Sequence, residues 1–347
     1  MPTCMIGMSG GVDSSVAACL LKEQGYDCIG VTMKLHTGAD GVCGALNDAD
    51  DAKNVCLRLR IPHYIFDFTS EFDRNVVAPF AMEYENGRTP NPCIACNRHL
   101  KFGALWQKAQ ELGCDYIATG HYARIVSDSA GALRLRKAAD LEKDQSYVLY
   151  FLSQEQLSHT LFPLGELTKA QVRQIAKKHG FINAKKQESQ DICFIPDGDY
   201  GTFLEQYTGK KYDPGDFIDP NGHVLGQHKG AVRYTLGQRK GLGVSAESRL
   251  YVLGKDMANN TVTLGSNDAL FTRELTALNV NLAESIPPEG RALKAKIRYR
   301  QTEQPCRAFL TGNRLCVKFD APQRAVTSGQ AVVLYDGDTV FGGGTIE

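Results

Sequence analysis

Seven residues near the start of the chain, Ser9-Gly10-Gly11-Val12-Asp13-Ser14-Ser15, restrict its fold more than any other stretch. They follow an apolar run, Cys4-Met5-Ile6-Gly7-Met8, that reads as a short strand. Behind them Val16, Ala17, Leu20 and Leu21 recur at helical spacing until Gly25 stops the pattern. A strand turning through two glycines into a helix lets the backbone approach a ligand closely. It also aims free N–H groups and the positive end of a helix dipole at one point. Such a point attracts a phosphate chain. No Gly-Lys-Ser/Thr follows, which excludes a Walker loop. The glycine spacing also differs from that of a dinucleotide fingerprint.

The pattern continues as alternating strand and helix for about two hundred residues. Apolar runs at Asp27-Cys28-Ile29-Gly30-Val31-Thr32-Met33, His63-Tyr64-Ile65-Phe66-Asp67 and Tyr116-Ile117-Ala118-Thr119-Gly120 alternate with helical patterns over residues 47–59, 72–86 and up to 112. This repetition predicts a parallel sheet covered on both faces, with ligands bound beyond the carboxyl ends of its strands. The Ser9–Ser15 loop, Met33 and Gly120 fall at those ends. With Asp13 inside it, the loop resembles the pyrophosphate-binding loop of the ATP pyrophosphatase superfamily, whose members use ATP to adenylate a carbonyl oxygen. After Tyr200, Gly, Pro and Asp punctuate short strands. The expected division is 1–208 for a parallel-sheet α/β catalytic domain, 209–270 for a small mixed central domain and 271–347 for a small β-barrel or sandwich.

Composition adds limits. The 347 residues carry no net charge and no apolar run near the roughly 20 needed to cross a bilayer. No basic segment followed by an apolar stretch opens the chain, so a cytoplasmic protein without membrane contact is expected. Eleven cysteines are many for such a compartment, where structural disulfides are rare. Cys4, Cys19, Cys28, Cys56, Cys114, Cys306 and Cys316 sit among apolar neighbours and read as small core residues. Cys43, in a Gly-rich loop, is ambiguous. Cys93 and Cys96 enter a helix, where a thiolate is favoured, and Cys193 lies about a hundred residues later.

Two basic stretches bear on nucleic acid. Between Arg291 and Arg324 nine Lys/Arg face only Glu303 and Asp320. Lys294, Lys296, Arg298 and Arg300 alternate with apolar residues, so a strand would place four cations on one face, as expected for a phosphate backbone. Residues 226–243 hold Lys229, Arg233, Arg239 and Lys240 among glycines, without an acid.

Taken in order, further segments give the chain a specific likeness. They are Gly7-Met8-Ser9-Gly10-Gly11-Val12-Asp13-Ser14, Gly87-Arg88-Thr89-Pro90-Asn91-Pro92, Cys96-Asn97, Ala118-Thr119-Gly120-His121-Tyr122, Lys143-Asp144-Gln145-Ser146-Tyr147, Ser189-Gln190-Asp191-Ile192-Cys193-Phe194-Ile195, Tyr234–Gly243, Arg298-Tyr299-Arg300 and Leu334-Tyr335-Asp336-Gly337. Over nearly its whole length the chain resembles the tRNA-specific 2-thiouridylase family. The resemblance implies replacement of the C2 oxygen of uridine 34, the wobble base of tRNAs such as those for Lys, Glu and Gln, by sulfur. It implies ATP on Gly7, Met8, Ser9, Gly10, Gly11, Val12, Asp13, Ser14, Met33 and Gly120, with Asp13 positioning Mg2+ and pyrophosphate. Asn91, Pro92 and Cys93 would face the target base, flipped from its stack. His121, Lys143, Asp144, Gln145, Arg298, Tyr299 and Gln330 would contact tRNA, bound by a monomer.

Many members carry Asp where this chain has Cys93. A thiol replaces a carboxylate poorly as acid or base but serves well as a soft metal ligand. Cys93, Cys96 and Cys193 are therefore candidate ligands of a [4Fe-4S] cluster with one open iron. The other form of the chemistry is a relay in which Cys193 carries a persulfide and Cys96 releases its sulfur. The donor, a cysteine desulfurase relay or free sulfide, is not legible. Rival readings are another carbonyl-adenylating tRNA-modifying enzyme, a non-catalytic RNA-binding protein and a redox sulfur carrier. The first does not need the three cysteines, and the last leaves the Asp13 loop unexplained.

Overall fold

A computed structural model describes residues 1–36, 46–186 and 192–347. Cys43 and the segment Ser189-Gln190-Asp191 lie outside the described residues. The chain forms two compact units. The first comprises Met1–Val77, Pro92–Pro196 and Asp338–Val340; the second comprises Ala78–Asn91, Asp197–Gly337 and Phe341–Glu347.

The first unit is built on a five-stranded parallel sheet in the order His63–Asp67, Asp27–Lys34, Thr3–Gly7, Tyr116–Ala118, Thr160–Leu161. The first strand lies in the middle, so the chain winds outward to both sides of it. This creates a switch point between Thr3–Gly7 and Tyr116–Ala118, where open α/β sheets bind ligands. The middle of the central strand is apolar, and Cys4, Met5 and Ile6 are fully buried, as expected of a parallel strand covered on both faces. Helix Val12–Glu23 follows it, and Val16, Ala17, Ala18, Cys19 and Leu21 pack against Val55, Val172, Ala176 and Phe181. The expected helix over 47–59 is present as Leu46–Leu59. The hairpin Ala123–Ser127/Leu133–Lys137 was not anticipated.

The second unit holds a four-stranded sheet in the order Tyr251–Asp256, Thr261–Gly265, Gly215–Ile218, Val224–His228 around Phe217, Tyr234, Val252, Val262 and Leu264. It also holds, from Phe341 on for the last strand, a six-stranded barrel, Phe271–Leu282, Arg314–Arg324, Gln304–Thr311, Arg291–Lys296, Ala331–Asp336, Thr339–Ile346, whose last strand pairs back with its first. Closure removes the free edges that an open sheet would expose. Helix Tyr200–Thr208, counted from sequence with the first domain, falls in the second unit, where Arg233 pairs with Asp199 at 3.3 Å and Glu205 at 2.8 Å.

The expected stripe of four cations on one strand face does not form. The strand ends at Lys296 because the Gln301 side chain accepts from Ile297 N–H at 2.9 Å and the Gln301 N–H donates to the Arg298 carbonyl. Arg298 and Arg300 therefore lie in a turn. Lys296 is largely buried beside Glu303, with its ammonium 5.3 Å from the Tyr335 ring. Of the cysteines read as core, Cys316 is half-buried and the other six are buried.

Candidate active site

The phosphate-type loop is closed by its own side chains. Ser9 N–H donates to Ser14 Oγ at 3.2 Å, while the Ser14 and Ser15 hydroxyls donate to the Gly11 carbonyl at 3.1 and 2.9 Å. Gly11 caps the helix in an extended conformation without a side-chain bond to its first turn, which leaves that turn's N–H groups directed outward for an anion. Two glycines are required by space. Gly10 has φ +71°, and a Cβ there would lie 2.2 Å from the Asp48 carbonyl oxygen. A Cβ on Gly120 would lie 2.7 Å from Ser14 N and 2.8 Å from Asp13 C. Gly120 thus brings the end of the fourth strand directly against the first turn of the helix.

Asp13 is the centre of this site. Lys169 Nζ donates to both its carboxylate oxygens at 2.8 Å, and Tyr122 OH donates to Oδ1 at 2.8 Å. Lys169 opens helix Lys169–Lys178, whose start is fixed by a capping box between Thr168 and Gln171. Two helix N-termini therefore meet at one carboxylate. Tyr122 is held in turn by Gln145, which accepts from Tyr122 N–H at 3.0 Å and donates its own N–H to the Tyr122 carbonyl. Asn183, almost fully buried, donates to the Gly10 carbonyl and Ser15 Oγ, both at 2.9 Å. Sequence reasoning missed Lys169 and Asn183. The capping box was legible, but nothing local connects Lys169 to a residue 156 positions away.

The remaining expected residues divide in two. Cys93 is exposed, Cys96 half-buried and Cys193 exposed, and all three belong to the first unit. Cys93 and Cys96 lie one helical turn apart on Pro92–Cys96. The turn after them is pinned by buried Asn97, which donates to the Val148 carbonyl at 3.2 Å. The neighbour of Cys193, Phe194, packs edge-on against Phe72 at 5.6 Å. Met33 lies half-buried near the end of its strand.

Several expected tRNA contacts are engaged within the protein. His121 is buried, with Nδ1 2.7 Å from Thr119 Oγ1 and Nε2 3.5 Å from Lys101 Nζ. Burial, with the Lys101 ammonium second, holds the imidazole neutral, well below its ordinary range. Asp144 is buried and accepts from Ala138 N–H, Ser146 N–H and Ser146 Oγ. In the second unit, Gln330 donates to the Thr89 carbonyl at 2.8 Å, and Thr89 N–H donates to the Ser328 carbonyl. Gln330 therefore anchors the Arg88–Asn91 segment. Arg298 donates to the Ala325 carbonyl and Thr327 Oγ1 beside a cavity of about 420 Å³ that Phe271 and Arg324 also line. Tyr299 is 38% exposed, and Lys229, Arg239 and Lys240 are exposed.

Residues 2–197 match the model described as a tRNA methyl transferase HUP domain, 201–266 its PRC-barrel domain, and 272–346 an aminomethyltransferase β-barrel domain. The tRNA-specific 2-thiouridylase MnmA of Lachnoclostridium phytofermentans is 50% identical, covering 100% of this chain and 99% of that protein. That of Clostridioides difficile is 48% identical over 99% and 97%. A loose likeness to the U34-tRNA thiolase NcsA of Methanococcus maripaludis has a TM-score of 0.38 at 19% identity, covering 59% of this chain and 66% of that one. With full-length relatives at this identity and a matching order of three domains, the chain belongs to the tRNA-specific 2-thiouridylase family.

Proposed function

We propose that this chain is an ATP-dependent tRNA-uridine 2-sulfurtransferase acting on uridine 34. The observation that carries the reading is the Asp13 centre: two helix N-termini and two close-packed glycines at the switch point of a parallel sheet, in the unit that also holds three accessible thiols. ATP would place its phosphates on the Ser9–Ser14 loop. The C2 oxygen of the base attacks the α-phosphorus and pyrophosphate leaves. A sulfur nucleophile then attacks C2, and AMP departs with the oxygen, leaving 2-thiouridine. A carbonyl oxygen leaves poorly as such, so adenylation makes the second step accessible.

Asp13 does not fit a resident magnesium site in this arrangement, because Lys169 already holds both its oxygens. Mg2+ is better assigned to the ATP phosphates, as part of the substrate. The thiols do fit an iron–sulfur group: three soft donors, two of them exposed. Cys93, Cys96 and Cys193 would hold it, and when bound it would supply an iron position for the sulfide to be transferred. The tRNA would be that of Lys, Glu or Gln, gripped by a cytoplasmic monomer through Lys143, Arg298, Tyr299 and the exposed cations of residues 226–243. Among the described residues no helix is long and apolar enough to cross a membrane.

The test is anaerobic purification, iron and acid-labile sulfide analysis beside Cys93→Asp, and measurement of 2-thiouridine in treated tRNA. Near-stoichiometric iron lost in the variant is the expected result. Thiolation from a persulfide donor without iron would instead assign Cys193 as carrier and Cys96 as nucleophile. No AMP release with any tRNA would overturn the enzymatic reading.

A further inference from the structure

The helices that meet at Asp13 and Lys169 also approach one another farther along, away from the phosphate loop. There Cys19 and Glu23, one turn apart on Val12–Glu23, face His179, the residue that caps Lys169–Lys178. One donor atom of each, the Cys19 sulfur, a Glu23 carboxylate oxygen and a His179 ring nitrogen, lies within 4.8 Å of the other two. His179 Nε2 is 3.3 Å from Glu23 Oε1. This is the one such three-donor group among the described residues. Cys19 is only 1% exposed, while His179 and Glu23 open to solvent with side chains 27% and 55% exposed. The His179 ring is stacked on Phe181 at 5.8 Å, which fixes its plane.

We propose that Cys19, Glu23 and His179 bind one Zn2+ ion, as a clamp between these two helices and separate from the transfer thiols. Thiolate, imidazole and carboxylate are a borderline-soft set that suits zinc and not magnesium or calcium. One thiolate and one carboxylate neutralise the ion's two charges. The donors need only small side-chain adjustments to close on a common point, and a fourth position stays open to water. As a free thiol Cys19 is held up at about 11, chiefly by burial and then by Glu23, so zinc must displace its proton on binding. Lys178 and Arg58 are the nearby cations. Arg58 is occupied with the His179 carbonyl. Because each clamped helix also carries one partner of the Asp13–Lys169 pair at its start, the ion would stiffen the phosphate site from behind.

The experiment uses the full chain carrying Cys93→Ser, Cys96→Ser and Cys193→Ser, so that the transfer thiols cannot bind metal, and titrates it with Co2+ and then Zn2+. The expected result is one equivalent of Co2+ with a thiolate-to-metal charge-transfer band that Zn2+ displaces. Glu23→Gln and His179→Gln, both at solvent-accessible positions, should each weaken Zn2+ at least tenfold, measured by competition with a chromophoric chelator. Cys19→Ala should erase the band. Absence of the band in the three-serine protein would overturn the proposal, as would its persistence in Cys19→Ala. If Cys19→Ala does not fold, unchanged Zn2+ affinity in both Gln variants would overturn it equally.

Discussion

Replacing Lys255 by methionine should stabilise the second unit, and the gain should vanish in alkali. Lys255 lies on strand Tyr251–Asp256 with its ammonium buried and, among the described residues, without a hydrogen-bond partner. The ammonium lies 5.9 Å from the centroid of the Tyr84 ring. Burial lowers the ammonium from 10.5 to about 8. At 1.36 kcal/mol per pH unit, charging it in the folded state costs about 3 kcal/mol more than in the unfolded chain. Below pH 8 both states carry the proton and the whole penalty applies. Between about 8 and 10.5 the unfolded chain holds a proton that the folded chain lacks, so folding gains stability as pH rises. Above 10.5 both are neutral and nothing remains. Lys255→Met keeps the stem and removes the charge. Urea unfolding of both proteins at several pH values should show the variant ahead by about 3 kcal/mol at pH 7 and level with the wild type near pH 10.5. A pH-independent difference, or a destabilised variant at pH 7, would refute the reasoning. A Cβ on Gly87 would lie 3.1 Å from Met257 and 3.8 Å from Lys255 Cε. The charge therefore sits beneath the segment leading to Asn91, and the variant should also change its hydrogen exchange.

Gly120→Ala would force a Cβ into the backbone of Asp13 and Ser14, which cannot rotate away; thermal unfolding should show a loss of about 1–3 kcal/mol, with a raised KM for ATP. Lys169→Met should lower kcat/KM for AMP formation about a hundredfold by leaving Asp13 without its cation, and Lys169→Arg should restore part of it; equal loss in both would point to packing instead. His121 is neutral when folded, so it contributes stability above its ordinary 6.5 that is lost as pH falls below that value. Melting of His121→Gln from pH 5 to 8 should therefore show a flatter acid limb than the wild type.

The residues themselves determined a great deal. Apolar period, glycine turns and helix stops are local properties, and they fixed the parallel-sheet domain, the C-terminal strands and the loop at Ser9–Ser15. What local pattern does not carry depends on partners elsewhere. The basic alternation from Lys294 to Arg300 looks like one strand face until Gln301 folds back onto Ile297. Asp144 and Gln330 look like polar surface until their acceptors and donors are seen to lie inside the protein. Only the tertiary structure decided that Asp13 is held by a lysine 156 residues away, that Gly120 is excluded from bearing a side chain by another segment's backbone, and that Cys19, read as plain core, meets Glu23 and His179. The physical reason is the same in each case. Local sequence sets which face of an element is apolar and where it ends, whereas charge pairing and steric exclusion arise between segments that only the packed chain brings together.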